Sequence, residues 1–316
     1  MALHLPAALP LPGTVRRLLS QPVPAARPLP LRDSTADPGL FGPDSVTWRV
    51  MREPRLLLAA GRALLLQAAN PLVAQGAIDH STYKSDPYGR LERTVRWVTV
   101  VCFGTTGEAE RISGRVTGLH RRVTGTLPAT SATARVPAGT PYSADDPELL
   151  RWVHASFVDT MLVAHDAIVG GLTEQDRDAF VREWDAVARL MGLPRGGWAN
   201  AAALRRYVDR QVKRGPAVPG GGSLEVAETV LHPPVGSVWM RSAMDTLAFI
   251  AIGLLPPELR RGYGLSWNPA QAIAFATLTR SLRLASAALP RRLRISPVYD
   301  LALARSEGRW PETRAA

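Results

Sequence analysis

Residues 52–69 read REPRLLLAAGRALLLQAA. Pro54 stands near the first turn, where a missing N–H costs nothing, and the residues behind it are apolar nearly all round. A helix of that kind is buried on most sides, so this stretch reads as a central helix of an all-helical body. Asn70-Pro71 ends it, because the residue before a proline is pushed out of the helical region. Residues 71–80 then make a second, short helix.

The same grammar recurs outward from there. Ser85-Asp86-Pro87 is a cap with proline at the first helical position, and a helix over 88–103 follows. Gly104-Thr105-Thr106 caps the next, from 107 to about 124, and a Gly/Pro/Thr/Ser loop runs on to Pro141. Asp145-Asp146-Pro147-Glu148 opens a helix over 147–169, and Thr173 to Asp176 forms a capping box for one that stops at Gly192. Further helices are expected over 200–212, 223–231, 235–254, 256–262 and 269–288. GPAVPGGG at 215–222 is the most flexible internal linker, although it does not divide two domains. No period-two pattern outlasts four or five residues, and no repeat of 20–50 residues occurs. The fold class is therefore all-α, with one compact multi-helix domain over 43–290. A proline-rich tail or surface strap (1–42) precedes it, and a basic, irregular tail (291–316) follows.

Composition narrows the partners. Lys plus Arg is 38 against 27 acids, a net charge of +11, but only Lys84 and Lys213 are lysines. The arginines are spread along the whole chain without a recognition-helix pattern, so they read as a solvated surface and no nucleic-acid partner is expected. The single Cys102 excludes an intrachain disulfide, a four-cysteine zinc site and a cysteine-held iron–sulfur cluster, and no CxxCH motif offers a covalent haem attachment. The longest apolar run, 243–255, contains Asp245 and reads as a buried core helix rather than a membrane span. With no signal-peptide core in view, a cytoplasmic protein with peripheral membrane contact is expected.

Dinucleotide-fold, P-loop, α/β-hydrolase and zincin signatures are missing, which leaves the histidines. His4 lies in the tail, His165 follows an apolar helix face and His232 sits in a turn. These three read as structural or surface residues, and His80 as a helix-end cation. His120 (GLHRRVTG) and His154 (LLRWVHASF) each lie in an amphipathic helix. Either is a core histidine satisfied by a hydrogen bond, or an axial ligand to haem iron. A neutral imidazole backed by an apolar pocket is what a b-type haem needs.

Several strings, in this order, carry a resemblance: LLLQAANPLVAQGAIDHS (64–81), RLERT (90–94), FGT (103–105), GLHRRVTG (118–125) and YSADDPELLRWVHASFVDT (142–160). Over about residues 45–290 the chain resembles the catalytic domain shared by latex-clearing rubber oxygenases and MpaB-type oxygenases. The resemblance implies a globin-like helical core holding one non-covalent haem b. It implies a histidine as proximal iron ligand and an Arg–x–x–Lys–Thr stretch on the distal side. Arg90 and Thr94 match that Arg and Thr; Arg93 stands in place of the lysine. A guanidinium stays protonated and cannot ligate iron as an amine can, so an open or water-bound distal position is expected. His120 matches the proximal ligand best, with His154 as the alternative or as a pocket residue. Arg90 would organise the propionates or the pocket, and Thr94 would donate to bound dioxygen. The implied activity is haem-dependent oxidation of an apolar substrate, isoprenoid or lipid, with dioxygen. The alternative is a non-catalytic haem-binding sensor or carrier.

Overall fold

The computed structural model describes residues 31–193, 197–234, 238–285 and 289–310. Within them the chain is all-α, a single compact body with one two-stranded ribbon. The run at 52–69 is split. Pro54–Ala59 winds as a tight 3-10 turn and α2 (Ala60–Ala68) continues as α-helix, preceded by α1 (Val46–Met51). Leu65 and Leu66 on α2 are fully buried, as expected of a central helix. Asn70 caps α3 (Pro71–His80) by accepting from the Leu72 amide at 3.0 Å. Then come α4 (Pro87–Phe103) and α5 (Thr106–His120), a helical hairpin. The loop after α5 contains the ribbon, Thr124–Thr126 antiparallel to Pro141–Ser143, with Gly125 opposite Tyr142. α6 (Pro147–Ala164) follows and widens into a π-turn at His165–Val169.

In the second half α9 (Ala201–Lys213) packs on α6 and α10 (Gly221–Leu231) on α2 and α3, while α7 (Glu174–Glu183) lies against α1 and α9, and α8 (Asp185–Leu190) against α5 and α7. The expected linker at 215–222 is a close-packed crossing. A Cβ at Gly220 would lie 2.2 Å from the Ser131 carbonyl oxygen and one at Gly221 would lie 2.1 Å from that of Thr130. The glycines there permit close approach rather than freedom. α11 (Val238–Leu254), α12 (Pro257–Gly262) and α13 (Pro269–Ala285) complete the main body. Only the C-terminal end of α11 is buried, at Ile250, Ala251 and Leu254; Trp239 is 70% exposed. The expected core helix over 243–255 therefore holds for its last two turns, because its packing partners, α2 and the 54–59 turn, meet it there. No single helix among the described residues is long and apolar enough to cross a membrane.

Both flanking segments dock where the structure describes them. Residues 1–30 and 311–316 lie outside the described residues. Leu31 is buried, and the backbone N–H groups of Arg32 and Asp33 donate to Glu108 Oε1 at 2.7 and 3.0 Å. The stretch after Pro290, expected to be irregular, forms α14 (Arg291–Arg294) and α15 (Pro297–Ser306). Ser296 caps α15 with proline behind it, and Val298, Ala302 and Arg305 are buried. Arg305 Nη2 donates to the Phe103 carbonyl at 2.8 Å, closing the end of α4. The basic composition hid this helix, because one of its arginines points inward.

One buried polar cluster joins four elements. Arg62 on α2 is 1% exposed. Its Nε donates to the Leu254 carbonyl at 2.9 Å, its Nη2 to Asp159 Oδ2 at 2.6 Å, and its Nη1 to the Thr160 hydroxyl. Arg205 on α9 approaches the other Asp159 oxygen at 3.1 Å. Removing one partner of such a pair leaves a buried, uncompensated charge. Asp159→Ala is expected to lose about 3–5 kcal/mol in urea unfolding. A loss under about 1 kcal/mol, the range of exposed ion pairs, would contradict this account.

Two imidazoles also lie inside. His165, on the π-turn, is 4% exposed, and His154 on α6 stacks on Trp198 with ring centres 6.0 Å apart. Burial pushes both down to about 4. At His165 the Asp166 carboxylate opposes that shift, while Arg55, Arg177 and Arg49 add to it. An unfolded histidine titrates near 6.5. Between that pH and about 4 the unfolded chain takes up protons that the native protein refuses, so these groups lower stability progressively as pH falls through that window. Wild type is expected to take up about one more proton on unfolding at pH 5 than either His154→Gln or His165→Gln. The slope of unfolding free energy against pH measures this, and identical slopes would contradict it.

Candidate functional site

The α4–α5 hairpin carries most of the expected site residues. Asp86 caps α4 by accepting from the Gly89 amide at 2.8 Å, and Pro87 occupies the first helical turn. Thr105 and Glu108 form a reciprocal capping box that starts α5. Buried positions lie at the closed end of the hairpin: Val100 to Phe103 on α4, and Glu108, Ala109 and Ser113 on α5. The other end projects beyond the core, with Tyr88, Leu91 and Leu119 exposed.

One hydrogen bond sets the register between the two helices. Trp97 Nε1 donates to Ser113 Oγ at 3.2 Å. Arg90 lies seven residues before Trp97, and His120 seven residues after Ser113. Seven residues are two turns less about 20°, so each lies on the stripe of the touching pair. In antiparallel helices both are then displaced the same way, roughly 10 Å toward the open end. By regular helix geometry Arg90 and His120 then fall at about the same level of the hairpin.

His120 is the last residue of α5 and half-buried. Its Nδ1 is shielded from water without a hydrogen-bond partner. Burial holds its pKa below the ordinary histidine range, against the pull of Asp145, so the ring is neutral at pH 7. Arg90 is also half-buried; burial lowers its pKa, the Tyr83 hydroxyl opposes that and Arg93 reinforces it, and no acid contributes. Tyr83 itself donates to Glu225 Oε1 at 2.7 Å, and Lys84 Nζ meets the same oxygen at 2.6 Å. The Glu225 carboxylate is thereby committed to Tyr83 and Lys84, and Arg90 keeps its charge for another anion.

The other expected residues fare differently. Arg93 folds back over the start of α4, with Nη1 3.2 Å from Asp86 Oδ2 and Nη2 donating to Thr82 Oγ1 at 3.0 Å. Thr94 is exposed and donates to the Arg90 carbonyl at 3.1 Å, so its proton is taken by the helix backbone while its lone pairs stay free. The ring partners of His154 are Trp184 and Trp198, neither of them on the hairpin. Of the remaining histidines, His80 is exposed with Nε2 2.9 Å from the Thr124 carbonyl, and His232 lies beside Glu228 on the surface. His4 lies outside the described residues. Reading the sequence missed the buried, unpartnered state of His165; nothing in AHDAIVGG marks a π-turn.

The open end also has an apolar side. The Tyr88 hydroxyl donates to the Pro234 carbonyl at 3.2 Å, which ties α4 to the approach of α11, whose first turns expose Trp239 and Met240. Among the described residues no three His, Cys, Asp or Glu side chains could hold a metal ion by themselves. A porphyrin brings its own four nitrogens and asks the protein chiefly for an axial donor. His120, with one ring nitrogen uncommitted, fits that requirement, and the cation of Arg90 fits a carboxylate at the same level.

The family described as "ER-bound oxygenase mpaB/B'/Rubber oxygenase, catalytic domain" matches residues 48–284. "Uncharacterized protein Rv2237" of Mycobacterium tuberculosis is 28% identical over 257 residues, 78% of this chain and 94% of that protein. "Uncharacterized protein Mb2261" of Mycobacterium bovis matches to the same extent. No solved structure matches. The family match spans both hairpin helices and every side chain of the arrangement described above, and the chain belongs to the mpaB/rubber oxygenase catalytic-domain family.

Proposed function

We propose that this protein is a haem b-dependent oxygenase that oxidises an apolar substrate, isoprenoid or lipid, with dioxygen. Family membership supports the oxygenase class. The observation that carries the haem assignment is the hairpin register, which sets a neutral imidazole and an unpaired guanidinium at one level of an open helix end.

In this reading His120 donates a ring nitrogen to iron. Its burial keeps the ring unprotonated, so the lone pair is available across the physiological pH range. Arg90 binds a propionate carboxylate, and its desolvation strengthens that pairing. When bound, haem supplies the redox centre at which dioxygen is activated. Arg93 is held by Asp86 and Thr82, so its guanidinium would not compete with a small molecule for the iron. Thr94 would present its hydroxyl to dioxygen, and it can donate only by releasing the Arg90 carbonyl. Tyr88, Leu91, Leu119, Trp239 and Met240 line the approach with apolar surface, which suits a substrate without charge. Peripheral contact with a membrane from the cytoplasmic side would deliver such a substrate.

Absorbance of the haem-supplemented protein tests the assignment. A Soret band near about 400 nm is expected in wild type and in His154→Ala, and its loss in His120→Ala. Loss in His154→Ala with retention in His120→Ala would overturn it. Oxygen consumption with alkene substrates separates the oxygenase from a haem carrier, which would show the band without turnover.

A further inference from the structure

Away from the hairpin, a cluster of polar atoms stands unanswered around the Pro54–Ala59 turn. Arg55 is nine-tenths buried and pairs through Nη2 with Glu53 Oε2 at 2.5 Å. Its Nε and Nη1 are shielded from water and have no hydrogen-bond partner. The π-turn that carries His165 packs on this 3-10 turn, and His165 Nδ1 is likewise buried and unpartnered. So is Nε of Arg294, on α14, which packs on the same turn from the C-terminal side. So is Nε of Arg52, just before the turn; its carbonyl accepts from the Ser296 amide at 2.8 Å and its guanidinium lies over the Tyr299 ring.

These atoms share one chemistry. The guanidinium nitrogens can only donate, and a neutral imidazole can donate from Nδ1. Among the described residues no acceptor meets these atoms. Glu53 answers one nitrogen of Arg55, while Asp166 is engaged by both Nε and Nη2 of Arg177 at 3.1 and 2.8 Å, and Asp300 by Arg291. A buried donor without an acceptor carries its full desolvation penalty. One group with several acceptor oxygens and negative charge would satisfy the donors and balance the charge together.

We propose that Arg52, Arg55, Arg294 and His165 form an internal binding site for a phosphate-type oxyanion at the junction of the Pro54–Ala59 turn, the π-turn and α14. A tetrahedral oxyanion offers more acceptors than a carboxylate and suits donors that arrive from three elements. Binding to the folded state raises stability by mass action, so occupancy is visible without any haem or turnover. The phosphate can be free or the headgroup of a lipid; the donors required are the same.

The test uses the purified full-length chain. Its thermal midpoint is followed while inorganic phosphate replaces chloride at constant ionic strength. A saturable rise is expected in wild type and in the surface control Arg206→Gln, with most of the rise lost in Arg55→Gln and Arg294→Gln. Should Arg55→Gln not fold, Arg294→Gln, on a separate short helix, carries the test. Sedimentation with phosphatidylcholine vesicles, with and without phosphatidic acid, separates the sources. Binding to the acidic vesicles that Arg294→Gln abolishes identifies a lipid headgroup, and a phosphate-dependent rise without it identifies free phosphate. Chloride giving the same stabilisation as phosphate would overturn the proposal, as would an undiminished rise in Arg294→Gln.

Discussion

A guanidinium taken out of water is costly unless its nitrogens are answered, and the cluster around Arg62 does so by drawing four elements together. Its partners are the end of α11 through Leu254, and α6 through Asp159 and Thr160, with Arg205 of α9 completing the carboxylate. The arrangement can form in one relative placement of these helices, so it selects among the many ways apolar helices could pack. Around it the apolar side chains supply most of the driving force, with Trp48, Trp152, Trp184, Phe180 and Leu65 fully buried. Specificity of packing and strength of packing thus come from different residues.

The candidate site depends on what this core does not cover. Glu108 ties the closed end of the hairpin to residues 32 and 33, to the Thr105 amide and, at 3.7 Å, to Arg305. That anchoring lets the opposite end of α4 and α5 extend as a lever from a fixed base. Trp97 and Ser113 keep the two helices in register, and beyond them the apolar side chains remain uncovered. An open helix end with exposed apolar residues has a cost in water that a large flat cofactor or an apolar substrate would remove.

Much of this was legible in the sequence because caps are local chemistry. Asn70-Pro71, Asp86-Pro87, Thr105 with Glu108, Asp146-Pro147 and Thr173 with Asp176 each begin a helix where the residue pattern places one. The family strings pointed to the hairpin and to His120. What could not be read depends on contacts between distant segments. The 3-10 winding at 54–59 and the π-turn at His165 depend on what packs against them, not on propensity. Gly220 and Gly221 read as part of a flexible linker until the Ser131 and Thr130 carbonyls come close to the crossing. Arg305 reads as surface charge until the Phe103 carbonyl accepts from it. Within the site, the turning of Arg93 toward Asp86 and Thr82 is a side-chain choice that the string RLERT does not encode.

The central claim is that the His120 ring nitrogen is the protein's donor to iron. His120→Gly removes that ring and leaves a space an imidazole molecule can fill. The variant, supplied with haem, is expected to lack the Soret band at about 400 nm and to regain it when free imidazole is added. A His120→Gly variant whose band matches wild type without imidazole would contradict it.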